Sequence, residues 1–155
     1  MGQQQLLLLV LGIIIVGLSV VVGINAFSQN QKKSNADAMI VEALNIASSL
    51  QSWSLKPAMV GGRGASETLA DVTLDDVGYA NTDGTYHSLN GTFTVATSAD
   101  AECDEPIIPS GNPALIYING FDDNSGNHIC VAVAGTQTDD IGTDAKYGAG
   151  VENPE

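Results

Sequence analysis

The run from Leu6 to Ile24 constrains the fold of this chain more than any other feature. Its nineteen residues carry no charge, and only Gly12, Gly17, Ser19 and Gly23 interrupt the aliphatic side chains. At ~1.5 Å per residue a helix over this run spans about 28 Å, close to the ~30 Å hydrocarbon core of a bilayer. The fold must therefore place this segment in a membrane or surround it with other apolar helices.

Three interpretations compete for this apolar run. A secretory signal peptide has a basic start and an apolar core of about 7 to 15 residues, whereas this run is longer and no charge precedes Lys32. A permanent single-pass anchor agrees with the length, but only Lys32 and Lys33 are available to set its orientation. The third interpretation depends on the residues after Ile24.

The helical pattern continues well beyond Ile24. No Pro or Gly occurs from Asn25 to Ser54, and the residue before Pro57 is disfavoured in helical geometry, so we predict one helix over about residues 1–54. At ~1.5 Å per residue it is roughly 80 Å long. Its second half is amphipathic, because apolar residues spaced three and four apart share one face. These residues are Ala36, Met39, Ile40, Ala43, Leu44, Ile46, Ala47, Leu50 and Trp53.

The two halves of this helix require different surroundings. Residues 1–27 are apolar around nearly the whole circumference and predict the core of a membrane segment or filament. Residues 28–155 predict a globular head that includes the amphipathic half of the helix. The roughly 100 residues after the helix are enough for one hydrophobic core but not for two.

Strand signals begin near Val77 and predict an α+β fold, in which the helix packs on a small antiparallel sheet. Asp83-Gly84 is a hairpin-type pair between Tyr79-Ala80 and Thr85-Tyr86. Three or four strands are expected in all. The others are predicted at Thr92–Thr97, Ala114–Ile118 and Ile129–Ala134, with turn-rich residues at Asp122–Asn127 and a loop over the sheet or a neighbouring subunit at Thr136–Glu155.

The order of these features resembles that of a type IV pilin. The start Met1-Gly2-Gln3-Gln4-Gln5, directly before the aliphatic run, is similar to a group of bacterial pilin-like sequences that begin with a Gly-Gln-Gln-Gln run. The glycine-rich segment Pro57–Gly64 is similar to the loop that comes after the helix in the same group. The resemblance covers the first third of the chain closely and the remainder in layout.

The resemblance implies a structural subunit of an extracellular cell-surface filament. It implies an unassembled subunit in the inner membrane, a short basic leader removed by a prepilin peptidase, and N-methylation of Met1. Pilus assembly machinery then builds a homopolymer through the apolar helix. The expected assembly residues are Met1, Gln5, Leu6, Leu9, Gly12, Ile13, Val16, Gly17, Val20 and Gly23.

Two features depart from the family pattern. The fifth mature position is usually a glutamate that is thought to meet the N-terminal amine of a neighbour, whereas here it is Gln5. A neutral amide costs less to bury than an unpaired carboxylate but gives up the attraction between charges. A proline often found in the second half of the apolar run is also missing. Gly17 and Gly23 there each weaken a helix by roughly 1 kcal/mol, which permits local unwinding, or they serve close helix packing.

Two other functions agree with the same pattern. One is a monomeric, single-pass membrane-anchored module whose head binds a ligand or surface. The other is a pseudopilin of a secretion system, which differs from a pilin in filament length. Gly12, Gly17 and Ser19 suit close helix neighbours, and the near absence of flanking charges suits extraction from the membrane, so both features favour the filament.

Cys103 and Cys130 form the one cysteine pair of the chain. An even count in an exported protein favours a disulfide, which contributes about 3 to 4 kcal/mol in the chain-entropy model. Two free buried thiols are the alternative; a metal pair is disfavoured because neither His87 nor His128 has ligand spacing with the cysteines. In pilins such a bridge joins the C-terminal part of the head to the sheet, and these positions match that role.

No pattern predicts catalysis, a cofactor or a metal. The two histidines are isolated, and neither a nucleophile elbow nor a phosphate-binding glycine pattern occurs. Asp122–Asn127 comes nearest to a calcium loop but lacks the spacing and the distal glutamate of an EF-hand. Asn90-Gly91-Thr92 is an acceptor triplet for N-glycosylation in a host with that machinery.

The charge of the chain points away from nucleic acid as a partner. Five basic and 18 acidic residues give a formal net charge of -13, and all of them lie beyond residue 31. Such acidity repels phosphate backbones and favours a soluble, self-repelling outer surface.

Overall fold

A computed structural model describes residues 2–62, 64, 69, 72–79, 82–100, 104, 106, 108–112 and 115–148. One helix precedes five strands. These elements are α1 (Gly2–Leu55), β1 (Thr85–His87), β2 (Thr92–Ala96), β3 (Ile116–Asp122), β4 (Asn127–Val133) and β5 (Ile141–Lys146). Short 3-10 turns occur at Ala58–Val60, Asp75–Val77, Thr82–Gly84 and Thr138–Asp140.

The predicted long helix is confirmed. Helix α1 contains 54 residues and runs without interruption through Gly17 and Gly23. It ends at Leu55, immediately before Lys56 and Pro57, where a proline disfavours helical geometry in the preceding residue.

The sheet is an antiparallel meander with the strands in sequence order. In its centre, Val95 of β2 lies opposite Ile118 of β3, and Ile118 lies opposite Val131 of β4. Because side chains alternate between the two faces of a strand, one face of β2, β3 and β4 carries the residues that meet α1. The α+β architecture of a long helix on a small antiparallel sheet is therefore confirmed.

The hydrophobic core lies between the C-terminal half of α1 and the sheet. All nine predicted residues of the helical stripe are buried or partly buried. The fully buried side chains of the sheet that meet them include Phe93, Ile116, Ile118, Ile129, Val131 and Val133. Amphipathic periodicity thus identified the correct face of the helix.

The predicted hairpin at Asp83-Gly84 is wrong. Asp83 (φ 71°) and Gly84 (φ 73°) have the backbone angles of a tight turn, but Tyr79 before it belongs to no strand. The Tyr79 amide donates to the Leu74 carbonyl at 3.0 Å, so it is not free for a ladder. Strand β1 pairs with β2 instead, and Ala80 lies outside the described residues.

The predicted loop after Thr136 is also wrong, because Ile141–Lys146 forms β5 on the free edge of β4. This strand has a single large apolar residue, Ile141. Its position follows from backbone pairing with β4, which apolar periodicity does not report. The sheet therefore has five strands, one more than the upper limit of the prediction. Strands β3 and β4 also extend closer to their shared turn than predicted, because Asn119, Gly120 and Asn127 pair although they are poor β-formers.

Cys130 is completely buried in β4, and it is not a free thiol. Its expected partner, Cys103, lies outside the described residues. The disulfide therefore stays a prediction.

Candidate functional site

The first part of α1, residues 2–31, is exposed along its whole length; we call it the arm. Its most apolar stretch has a mean hydropathy of 3.1 and is 0% buried. The first partly buried residues of α1 are Lys32 and Lys33. By length and composition the arm can cross a membrane, a criterion that N-terminal signal sequences also meet.

The expected assembly residues lie on this arm. Leu6, Leu9, Ile13 and Val16 are each 63–66% exposed, and Val20 is also exposed. Among the other assembly residues, Gln5 is exposed too, whereas Met1 lies outside the described residues. Contiguous apolar surface of this extent marks a protein or membrane interaction site.

The apolar run has no unsatisfied side-chain donor. Ser19 is its one polar side chain, and the Ser19 Oγ donates to the Ile15 carbonyl at 2.8 Å. An unpaired polar group in hydrocarbon costs several kcal/mol. Because of this local bond, the run can enter an environment without water at no such cost. Lipid tails and neighbouring apolar helices are both such environments.

Small residues are concentrated on one side of the arm. At ~100° per residue, Gly12, Ser19 and Gly23 fall within about 40° of one another, while Gly17 lies about 140° from Gly12. A Cβ added at any of these three glycines would meet no atom within 4 Å. Nothing within this chain therefore requires glycine at these positions, whereas close approach of a second helix would.

A row of hydrogen bonds fixes the rest of α1 to the head, starting where the arm ends. Asn127, completely buried in β4, donates from Nδ2 to the Lys32 carbonyl at 2.8 Å. The Asn127 Oδ1 accepts the Gly148 amide at 3.0 Å. The base of the arm is thus held by a side chain that is itself anchored.

Asp122, the last residue of β3, joins α1 to two loops. Asn35 donates from Nδ2 to Asp122 Oδ2 at 2.9 Å and to the Asn90 carbonyl at 3.1 Å. The Asp122 carboxylate also accepts the amides of Ser125 (3.0 Å) and Asn124 (3.2 Å). Burial raises the pKa of Asp122, but hydrogen bonds from the Ser125 hydroxyl and from the amides of Asn124 and Ser125 outweigh burial and hold the pKa below its ordinary value. Asp122 belongs to the Asp122–Asn127 run, which comes nearest to a calcium loop in the sequence. Its carboxylate is already engaged as a hydrogen-bond acceptor within the head.

We expect Asp122→Ala to destabilise the head by about 2 kcal/mol, because it leaves partly buried donors of Asn35 and Ser125 without their acceptor. Asp123 is the matched control, since it is exposed and occupies the next position of the same turn. Asp123→Ala should change the free energy of unfolding by less than about 0.5 kcal/mol. Urea denaturation of both variants checks this prediction, and equal midpoints would contradict it.

Glu42 makes the next contact along the helix. Its Oε2 accepts the Ser88 hydroxyl at 2.8 Å and the Asn90 Nδ2 at 3.2 Å. Asn90 is the asparagine to which a glycan would be attached in the glycosylation triplet. In this structure its side-chain nitrogen is engaged with Glu42 within the head. Burial, and then the nearby Glu42 carboxylate, raise the pKa of Tyr86.

Gln51 makes the last of these contacts near the end of α1. It is buried, and its Nε2 donates to the carbonyls of Gly135 (2.8 Å) and Gln137 (3.0 Å). Close by, Asp140 accepts hydrogen bonds from Ser110, from the Gln137 amide and from Asn112, and these lower its pKa. The sequence did not lead us to predict that Gln51 contacts the head. Its position as a polar residue beside the apolar stripe was a signal for such a contact.

The shifted pKa values predict a stability that falls at both extremes of pH. The pKa values of Asp122 and Asp140 are lowered on folding, so their stabilisation is present above the unfolded value of about 3.9 and is lost as the pH falls through the folded values. The pKa of Tyr86 is raised, so its stabilisation is present below about pH 10 and is lost as the pH rises through the folded value. Thermal unfolding followed by circular dichroism from pH 2 to 11 checks this; a midpoint that rises below pH 4 would contradict it.

The two histidines lie on different strands and do not form a common site. His87 is exposed at the end of β1, with its Nδ1 3.1 Å from Thr92 Oγ1. His128 of β4 packs on the Phe121 ring with 4.5 Å between the ring centroids, and its Nδ1 lies 3.8 Å from Asp100 Oδ2. Among the described residues, no group of three or more His, Cys, Asp and Glu side chains is placed to hold a metal.

Together these observations define an α+β protein in which a long apolar helical arm projects from a small antiparallel head. No family model matches this chain, and neither a curated protein nor a solved structure matches it. The fold is compatible with that of a pilin, and the resemblance to type IV pilins rests on the sequence features described above.

Proposed function

We propose that this chain is the structural subunit of an extracellular type IV pilus-like filament. The observation that carries the proposal is the arm, whose described residues are all exposed and whose apolar run has its one polar side chain satisfied internally. A segment of this kind requires a partner around its whole circumference. Copies of the same arm, packed into a helical bundle, supply one in water.

Apolar burial is large enough to drive such a bundle. At ~25 cal/mol per Å2, burial of about 400 Å2 of apolar surface per subunit contributes roughly 10 kcal/mol. This is comparable with the ~4 to 15 kcal/mol lost when a subunit is immobilised. Before assembly, the hydrocarbon of the inner membrane replaces neighbouring arms around Leu6–Ile24.

The charge distribution supports this arrangement. All 23 acidic and basic residues lie beyond residue 31, 5 of them basic and 18 acidic, so the charged side chains belong to the head and the base of the arm. The heads face outward, where water and salt screen their mutual repulsion. The arms can then pack without burying a charged side chain.

The proposal includes the remaining steps that the resemblance implies. A prepilin peptidase would generate the N-methylated Met1, and assembly machinery would extract the subunit from the membrane. Gln5 would occupy the bundle as a neutral amide, where an unpaired carboxylate would cost more to bury. The role is structural, and neither enzymatic activity nor nucleic acid binding is part of the proposal.

Electron microscopy of material sheared from the cell surface tests the proposal, combined with mass spectrometry of the N-terminus. The expected result is filaments built from this chain, beginning at a methylated Met1. Recovery of the chain only from detergent-extracted membranes, as a monomer with an unprocessed start, would overturn the proposal.

A membrane-anchored binding module is the second candidate, and an open groove beside the end of α1 favours it. The groove has a volume of about 280 Å3, near the lower limit for small-molecule sites. Its lining includes Ser48, Ser52, Trp53, Lys56 and Asp76. A monomer that binds ligand in this groove would support the module, whereas short filaments confined to the envelope would indicate a pseudopilin.

A further inference from the structure

The turn that connects β1 to β2 contains an Asn-Gly pair, Asn90-Gly91. In such a pair the backbone nitrogen of the glycine can attack the side-chain carbonyl carbon of the asparagine, because the glycine has no side chain that shields its nitrogen. The structure requires glycine at this position. A Cβ at Gly91 would lie 2.8 Å from Met39 Cε and 2.8 Å from the Phe121 carbonyl oxygen, so no larger residue fits between α1 and β3.

A chain of hydrogen bonds connects the two nitrogen atoms that take part in this reaction. The Gly91 amide donates to Ser88 Oγ at 3.3 Å, and the Ser88 hydroxyl donates to Glu42 Oε2 at 2.8 Å. The same oxygen of Glu42 accepts a hydrogen bond from Asn90 Nδ2 at 3.2 Å. One hydroxyl and one carboxylate therefore join the attacking nitrogen to the nitrogen that would leave.

The Ser88 hydroxyl has two acceptors within reach. Its Oγ lies 3.2 Å from the Gly91 carbonyl oxygen and 2.8 Å from Glu42 Oε2. The shorter contact, to a charged acceptor, is the stronger hydrogen bond. Ser88 thus directs its proton at Glu42 and keeps its lone pairs for the Gly91 amide. This direction allows a proton to move from the glycine nitrogen towards the carboxylate.

Asn35 of α1 contacts the peptide group that contains the attacking nitrogen. Its Nδ2 donates to the Asn90 carbonyl at 3.1 Å, and this carbonyl shares its peptide bond with the Gly91 nitrogen. Because the two atoms are coupled by peptide resonance, a hydrogen bond to the oxygen draws charge from the nitrogen and makes its N–H more acidic. Asn35 is itself held by Asp122 at 2.9 Å. The surrounding contacts therefore fix this peptide group and favour loss of its proton.

From this arrangement we propose that Asn90 undergoes deamidation catalysed by the head itself, with Ser88 as a proton relay and Glu42 as general base and acid. The Gly91 nitrogen forms a bond to Asn90 Cγ, and its proton passes through Ser88 Oγ to Glu42. Glu42 gives the proton to Nδ2 as the bond between Cγ and Nδ2 breaks, and ammonia leaves. Water then opens the succinimide at either carbonyl, which yields aspartate or isoaspartate. Each head reacts once.

The product changes how the turn is attached to α1. A carboxylate at position 90 cannot donate to Glu42, and two like charges in this partly buried place repel each other. Deamidation therefore breaks the contact between Glu42 and residue 90 and adds a negative charge to an already acidic head. It also removes the amide to which a glycan would be attached. Because ammonia is lost, the change is permanent and distinguishes older copies of the chain from newer ones.

Peptide mapping by mass spectrometry tests the proposal on the full chain in detergent micelles at neutral pH. The measured quantity is the rate at which asparagine is converted to aspartate or isoaspartate. Asn119-Gly120 is the internal control, because it is the second Asn-Gly pair of the chain and lies in β3, paired with β2 and β4. In the folded chain Asn90 should be converted faster than Asn119. In urea the two pairs should react at similar rates, and Asn90 more slowly than in the folded head.

Two matched sets of variants test the relay. Glu42→Gln keeps an acceptor oxygen but cannot carry the proton, so conversion at Asn90 should slow about a hundredfold, at the lower end of the effect of general acid–base catalysis. Asp37→Asn removes an exposed carboxylate from the same helix and should leave the rate unchanged. Ser88→Ala should slow the reaction, whereas Ser88→Thr retains the hydroxyl and should preserve it. The fluorescence of Trp53, which packs against the core, shows whether each variant is folded.

Two results would overturn the proposal. If Asn90 stays intact in the folded chain and is converted only in urea, the same contacts hold the reacting atoms apart. If the unaltered chain and a folded Glu42→Gln variant react at equal rates, the carboxylate takes no part in the reaction. The comparison between the folded and the unfolded unaltered chain requires no variant to fold. None of these measurements depends on whether the chain assembles into filaments.

Discussion

Ile13→Asp is expected to abolish filament assembly while the head remains folded. Ile13 lies in the middle of the apolar run and is 65% exposed in the single subunit. In a bundle of arms, every subunit would bury an unpaired carboxylate at this position, at a cost of several kcal/mol each. That cost removes a large part of the roughly 10 kcal/mol that burial of about 400 Å2 contributes.

The effect of Ile13→Asp on assembly can be distinguished from an effect on the folding of the head. The arm is exposed along its length, so the free energy of unfolding of the head should stay within about 0.5 kcal/mol of the unaltered protein. Gln29→Asp is the control, because Gln29 is exposed on the same arm but lies beyond the apolar run. It should assemble. Electron microscopy counts the filaments, and abundant filaments of Ile13→Asp would show that the arms do not form a closed apolar bundle.

The long helix and the face that it buries were predictable because their signals are local. An uncharged run and spacings of three and four residues are readable over one or two helical turns. The face that carries Met39, Ala43 and Leu50 was therefore identified correctly. Strand β5 was not predicted, because residues Ile141–Lys146 form a strand through backbone pairing with β4 and not because of their own composition.

The polar contacts between helix and head could not be predicted for a related reason. Asn127 and Lys32 are 95 residues apart in sequence, and Asn35 and Asp122 are 87 apart. No single segment shows that these residues meet. Turn chemistry was identified at Asp122–Asn127, but that its carboxylate also binds the helix is a property of the tertiary fold.

Phe93→Ala is expected to have the largest effect on the stability of the head. Phe93 is 0% exposed in β2, and it lies opposite Gly120 of β3. A Cβ at Gly120 would meet the Phe93 ring at 2.9 Å, so glycine there makes room for the ring between α1 and the sheet. Truncation leaves a cavity that the surrounding side chains fill only in part, with a cost of about 3 to 5 kcal/mol.

Phe121→Ala is the matched control, because the same side chain is removed from the opposite face of the sheet. Phe121 is only partly buried and packs on His128, so its loss should cost less than half as much.

Trp53, the one tryptophan, packs against the core, and its fluorescence reports unfolding in urea. Since small domains retain about 5 to 15 kcal/mol, Phe93→Ala should place the head near its unfolding limit at ambient temperature. A stable Phe93→Ala head, with a midpoint equal to that of Phe121→Ala, would show that the helix does not pack on this face of the sheet.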